Sequence, residues 1–154
     1  MNFNDEAFAL LPEIQRHRRM IHQHPELSFH EEKTTAYIQK ELEALGIKVT
    51  RFDDYYGLIG TLRGGKQGKT VLLRADIDAL PITEGNELPY CSENKGVMHA
   101  CGHDCHTAML LGAAKLLAAK REELAGTVKF LFQSAEESGH GSNYYVDHGC
   151  FEGV

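Results

Sequence analysis

Between Met98 and His106 the chain packs three histidines, two cysteines and an aspartate into nine residues, Met98-His99-Ala100-Cys101-Gly102-His103-Asp104-Cys105-His106. Thiolate, imidazole and carboxylate are the side chains that hold divalent transition metals. About thirty residues on, Glu136 and Glu137 stand together directly after a run that reads as a buried strand. Consecutive residues there point in different directions. One carboxylate can therefore ligate a metal while its neighbour faces the attacking water as general base. A thiol, imidazoles and paired carboxylates at strand ends suggest a metal-dependent hydrolase.

Cys101 and His103 bracket Gly102, whose conformational freedom lets both side chains turn toward one point. A helix beginning here is expected to lower the thiol pKa and favour the thiolate that binds metal. Alone, Cys101 reads as a small buried hydrophobe; beside His103 the ligand reading leads. A thiol nucleophile with His103 as its base is the weaker alternative. Residues so close along one loop align poorly for proton transfer, and the acidic pairs are left unused. His106 falls one turn into the helix, where it is expected to support a ligand or to pack, and Cys105 is expected to face the helix packing. His99 stands open between ligand, supporting group and neither. Asp76 and Asp78, two apart in an extended segment, project to one side, where one can orient a metal-binding imidazole. A pair of loop caps is the equal alternative. Glu122 and Glu123 read as a solvated pair.

The elements that must position these groups follow from periodicity. A helix is expected over residues 5–23, with Leu10, Leu11, Ile14, Arg18 and Ile21 as its stripe, Pro12 tolerated near its start and Pro25 closing it. A second fits residues 31–45, ending on Gly46. Short strands over 47–52 and 58–63 flank Asp53-Asp54-Tyr55-Tyr56-Gly57 and read as a hairpin. Residues 64–69 read as a turn and not as a phosphate-binding loop, because no Gly-Lys-Ser/Thr follows with the required spacing. A strand over 70–75, an Ala- and Leu-rich helix over 104–120 expected to be buried, and a strand over 127–132 give a parallel pair joined by a crossover helix. Ligands in such sheets bind beyond the carboxyl ends of the parallel strands. Asp76 and Asp78 follow one such end, Glu136 and Glu137 the other, and the cysteine–histidine cluster opens the helix between them. Three polar clusters are expected to meet at one edge.

Composition narrows the classes. At 154 residues the chain suffices for one domain with a real core. A formal charge of −6 argues against a nucleic-acid surface, and the short basic cluster Arg16, Arg18, Arg19 reads as a solvated helix face. No apolar run reaches bilayer length, and residues 1–5 are polar with no signal-peptide core. The four cysteines form no CxxC pairs, so reduced thiols and a cytoplasmic location are expected.

Four segments, in this order, resemble the M20 metallopeptidases: His24-Pro25-Glu26-Leu27-Ser28-Phe29, Arg74-Ala75-Asp76-Ile77-Asp78-Ala79-Leu80-Pro81, Met98-His99-Ala100-Cys101-Gly102-His103-Asp104 and Phe132-Gln133-Ser134-Ala135-Glu136-Glu137. The likeness is greatest to the amidohydrolase branch, which includes hippurate hydrolase, N-acyl-amino-acid amidohydrolases, plant auxin-conjugate hydrolases and N-acetyldiaminopimelate deacetylases. It implies an α/β fold, the N-terminal part of a three-layer zinc-peptidase-like catalytic domain with a mixed, partly parallel central sheet. It further implies Cys101, His103 and Glu137 as metal ligands, Glu136 as the catalytic general base and Asp78 as the carboxylate orienting a ligand. The complete site would hold two divalent metals, zinc or else manganese, cobalt or nickel. The substrate would be an N-acyl amino acid, hydrolysed to a carboxylic acid and a free amino acid. Neither nucleic acid nor membrane is implied as a partner, and the full-length protein is expected as a homodimer or larger assembly.

The chain departs from the family pattern at Ser134, where proline is usual. It departs again over Ser138-Gly139-His140-Gly141-Ser142, where glycines run together and His140 adds a stray possible ligand. Family members are much longer, with two further histidine ligands and an inserted ferredoxin-like dimerisation domain. Residues 1–154 are therefore expected to be the N-terminal portion of the catalytic domain, with weak metal binding and little turnover alone. The competing class is a truncated, inactive homologue that binds metal or a partner.

Overall fold

Apolar residues alternate along the strand Ala125–Gln133: Phe130 and Phe132 lie on one face and Leu131 on the other, all fully buried. Such a strand needs cover on both sides. In the computed structural model, which describes residues 3–154, it is an inner strand, β4, of a four-stranded sheet. The order is β1-β2-β4-β3, with β1 at Lys48–Arg51, β2 at Gly57–Arg63 and β3 at Lys66–Asp76. β1 and β2 form the expected antiparallel hairpin, and β2 pairs β4 antiparallel. β3 and β4 pair parallel, joined through helix α4 (His103–Ala119). The α/β class and the mixed, partly parallel sheet are as the sequence implies.

Two layers hold this sheet. Ile38 and Leu42 of α3 (Glu32–Ala44), with Leu110, Leu111 and Ala114 of α4, close over Leu58, Leu62, Phe130 and Phe132. On the opposite face Tyr145 of α5 (Gly141–Asp147) and Cys150 pack against Ile59 and Leu131. Burying each Leu or Phe stabilises the fold by about 1.5–3 kcal/mol. These contacts fix the sheet edge from which the polar clusters emerge.

Three expectations are corrected. Residues 5–23 form two helices, α1 (Phe3–Ala9) and α2 (Leu11–Gln23), with Pro12 in the first turn of α2. Proline lacks an N–H and its ring collides with the carbonyl four residues back, so the break falls just ahead of it. The buried face of α2 is His17, Ile21 and His22, while Leu11 is exposed. Nor is Arg18 a solvated charge: its Nε donates to the buried Asp104 Oδ2 at 2.7 Å. Arg18 and Arg19 also lie over the Tyr90 ring at 5.1 and 5.0 Å. These partners are more than seventy residues away, out of reach of helical periodicity. Finally, the stretch 64–69 is not all turn, because β3 already starts at Lys66 and pairs β4 through an irregular register before Thr70.

Candidate metal centre

β3 and β4 end side by side, with Asp76 opposite Gln133. The Ile77 N–H donates to the Gln133 carbonyl at 3.0 Å and keeps the two exits in step. Two backbone links then bring distant segments to this edge. Ala79 N–H donates to Glu26 O at 2.8 Å beside a parallel bridge between Leu27 and Ala79, and Leu80 pairs with Met98. The first link carries Ser28 to Asp78, and the second carries the loop that leads into α4. Glu26 locks its own segment in place, because its carboxylate accepts the N–H groups of Lys33 at 3.1 Å and Thr34 at 2.8 Å at the start of α3. A carboxylate satisfies free amides at a helix N-terminus and complements its dipole.

His103 is the hub. Its Nδ1 lies 2.9 Å from the Asp78 carbonyl oxygen and 3.2 Å from Asp78 Oδ1. Both are acceptors, so Nδ1 carries a proton and Nε2 is left facing the cluster. Nε2 stands 3.5 Å from Asp76 Oδ1 and 3.7 Å from both Glu136 Oε2 and Glu137 Oε1. Gly102, left-handed at φ +90°, makes the turn that sets Cys101 and His103 toward this point. Asp78 is itself pinned, accepting Ser28 Oγ at 2.7 Å and the Glu137 N–H at 2.9 Å through Oδ2.

The donor atoms of Cys101, His103 and Glu137 all lie within 4.8 Å of one another. A four-coordinate ion with bonds of about 2.0–2.3 Å holds its donors roughly 3.3–3.8 Å apart, so the set needs only a small closure. Buried Glu137 Oε1 has no hydrogen-bond partner among the described residues. An ion would supply what this oxygen lacks, and the donor chemistry fits a divalent transition metal. Asp76, His103 and His106 form a second group on the same distance criterion. It shares the single free nitrogen of His103, and Asp76 Oδ1 is already 2.6 Å from His106 Nδ1. The first group is the better site.

Charge at the hub follows the same geometry. Burial alone would raise the Asp78 carboxyl, but the hydrogen bonds from His103, Ser28 and the Glu137 N–H hold it below the usual value. Burial would likewise lower His103; the hydrogen bond to Asp78 and the charges of Asp76 and Asp78 prevail and raise its pKa to about 8. Cys101 runs against expectation. The Glu137 carboxylate beside it, then burial and the charges of Glu136 and Asp76, push its thiol up. Nearby carboxylates outweigh a helix that starts two residues later, so a metal bound here would have to displace the thiol proton.

The other predicted residues sort as follows. Asp76 and Asp78 do flank one imidazole. Glu136 and Glu137 do not diverge: both reach the same His103 nitrogen, because β4 has ended at Gln133 and strand alternation no longer applies. Cys105 is exposed rather than packed, on the outward side of α4. His106 is half-exposed and bonded to Asp76. His99 is buried with neither ring nitrogen bonded among the described residues, and burial, chiefly, lowers its pKa to about 4. His140 is exposed at the start of α5 and joins neither donor group. Sequence reasoning gave no role to Ser28, although it lies in a quoted motif. It also missed Glu31, buried three residues later, whose only signal is a charged side chain at the start of an amphipathic helix.

Residues 72–154 match the model of Peptidase family M20/M25/M40. The N-acetyl-L-cysteine deacetylase of Bacillus subtilis is 48% identical over 137 residues, which are 89% of this chain and 33% of that protein. The N-acyl-L-amino acid amidohydrolase of Geobacillus stearothermophilus is 46% identical over 138 residues, 89% of this chain and 37% of that protein. Among solved structures, the Bacillus subtilis YXEP protein, described as a dinuclear metal binding peptidase from the M20 family, superposes with a TM-score of 0.91 at 44% identity. It covers 95% of this chain and 41% of its own. The chain thus spans about a third of the length of the curated relatives it matches. With half its length in the family match and strong likeness over nearly all of it, the chain belongs to Peptidase family M20/M25/M40.

Proposed function

We propose that the full-length protein is a metal-dependent amidohydrolase that cleaves the amide bond of N-acyl amino acids, releasing a carboxylic acid and a free amino acid. The observation that carries this reading is the Cys101–His103–Glu137 donor set, with Glu137 Oε1 buried and without a hydrogen bond among the described residues. The relatives named for N-acetyl-L-cysteine and N-acyl-L-amino acids support the substrate class.

In this reading Cys101, His103 and Glu137 hold a divalent metal; zinc suits a thiolate, an imidazole and a carboxylate, with manganese, cobalt or nickel as alternatives. A second ion is proposed from the likeness to the dinuclear B. subtilis protein. When bound, the metal supplies Lewis acidity, which makes water easier to ionise and stabilises negative charge on the substrate carbonyl oxygen. The protein's residues do the rest. Asp78 fixes the tautomer and aim of His103, and Ser28 and the Glu137 N–H fix Asp78. Glu136 is the more open of the two glutamates, with its side chain 41% exposed against 21% for Glu137, so it is the one free to meet substrate. Its carboxylate takes a proton from the attacking water as the water oxygen bonds to the acyl carbon. It then delivers that proton to the amide nitrogen as the C–N bond breaks.

The test is a panel of N-acyl amino acids offered to full-length protein purified free of metal, then loaded with Zn²⁺ or Mn²⁺, then chelated. Release of free amino acid that appears with metal and vanishes on chelation is the expected result. Turnover that survives chelation but ends on thiol alkylation would instead make Cys101 a nucleophile. Full metal occupancy with no turnover of any substrate would leave a metal- or partner-binding module.

A further inference from the structure

The two glutamates of the site leave β4 through a turn that the backbone does not favour. Ala135, directly before Glu136, is left-handed at φ +57°, a conformation that a residue with a Cβ adopts only at a cost. Something must over-determine it. Glu31, fully buried at the start of α3, reaches across to the turn, and its Oε1 accepts the Ala135 N–H at 2.8 Å. On the neighbouring residue, the Ser134 N–H donates to the hydroxyl of buried Tyr145 at 2.9 Å, and that hydroxyl donates onward to Tyr56 O at 2.9 Å. Two successive amides of the turn are thus held by the side chains of Glu31, just ahead of α3, and of Tyr145 in α5. The backbone of Glu31 is braced as well: its carbonyl accepts Thr35 Oγ1 at 2.5 Å, and Thr35 Oγ1 in turn accepts the Gly57 N–H at 3.0 Å.

A fully buried carboxyl, whose pKa burial raises, is an expensive way to satisfy one amide. Its second oxygen, Oε2, has no hydrogen-bond partner among the described residues. Apolar cores do not keep such a group without a reason beyond packing. Among the described residues Glu31 makes no hydrogen bond or ion pair to the donor set or to Glu136, and it lies outside every role assigned above.

We propose that Glu31 is a positioning residue for this site: its buried carboxylate, bonded to the Ala135 N–H, holds the left-handed turn that aims Glu136 and Glu137 at His103. What those glutamates do rests on the amidohydrolase reading; the clamp itself does not. Glu31→Leu keeps the bulk and removes the acceptor, whereas Glu31→Gln keeps an acceptor for Ala135. Tyr145→Phe removes the neighbouring brace.

In the full-length protein, Glu31→Leu is expected to lower Zn²⁺ affinity, measured by chelator competition, and turnover per occupied site, each by roughly 10- to 100-fold. Glu31→Gln should restore both to within about threefold of wild type, and Tyr145→Phe should lose roughly tenfold. Amide exchange at Ala135 should quicken in Glu31→Leu ahead of its β4 neighbours. A purely structural role would lower Tm while the folded fraction kept its Zn²⁺ affinity and turnover, and that result overturns the proposal. If Glu31→Leu does not fold, Tyr145→Phe decides: unchanged Zn²⁺ affinity and turnover would also overturn it. Should wild type neither bind Zn²⁺ nor hydrolyse any substrate, the functional reading fails. Ala135 exchange, slow in wild type and fast in the variant, would then still support the clamp, and unchanged exchange would refute it.

Discussion

Replacing Asp78 with asparagine separates the charge of one buried carboxylate from its shape. Asp78 Oδ2 accepts Ser28 Oγ at 2.7 Å and the Glu137 N–H at 2.9 Å, and Oδ1 lies 3.2 Å from His103 Nδ1. With Asp76, it holds the His103 pKa at about 8 against an ordinary 6.5, over the opposing effect of burial. One pH unit corresponds to about 1.4 kcal/mol, so the metal-free fold favours the imidazolium by roughly 2 kcal/mol. Because the folded-state pKa is the raised one, that stability is fully present below pH 6.5 and is lost as pH rises through about 8. Asparagine is neutral and must turn its NH₂ toward one of the donors from Ser28, Glu137 or His103. The expected cost is about 2–4 kcal/mol at pH 6. Most of the dependence between pH 6.5 and 8 should disappear with it. Urea denaturation of metal-free protein at pH 6 and pH 8.5 reads both effects. A change under about 0.5 kcal/mol with the pH dependence intact would refute the role given to Asp78.

If His103 Nε2 binds the metal as proposed, the ion must displace its proton, and Zn²⁺ affinity should fall by up to about tenfold per pH unit below pH 8, measurable by chelator competition. Cys101→Ala should lower bound metal per chain, and unchanged stoichiometry by elemental analysis would remove Cys101 from the ligand set. Leu58→Ala, beneath α3 and α4 at a fully buried position, should cost about 2–5 kcal/mol in urea denaturation without altering metal stoichiometry in the folded fraction.

The sheet was legible because its signals are local. Phe130, Leu131 and Phe132 announce a strand buried on both faces, and the Ala- and Leu-rich helix before them announces a crossover. The meeting of Asp76, Asp78, His103, Glu136 and Glu137 followed from that topology alone. What escaped depends on partners distant in sequence. Arg18 looked solvated until Asp104 and Tyr90 closed over it. The Cys101 thiol was misjudged because the nearby helix start is written in the sequence and the facing Glu137 carboxylate is not. The strand rule for Glu136 and Glu137 failed one turn past the strand end, where Ala135 turns left-handed. Ser28 and Glu31 needed the backbone links through Glu26, Ala79 and Ala135 before any role could be seen.

The central claim is that Glu136 moves protons at a metal held by its neighbours. Its most direct test is Glu136→Gln in the full-length protein, with metal content and amide hydrolysis measured on the same preparation. The account predicts wild-type metal stoichiometry with hydrolysis lost by at least roughly 10²-fold. Near-normal turnover with metal bound would contradict it and return the general base to another group.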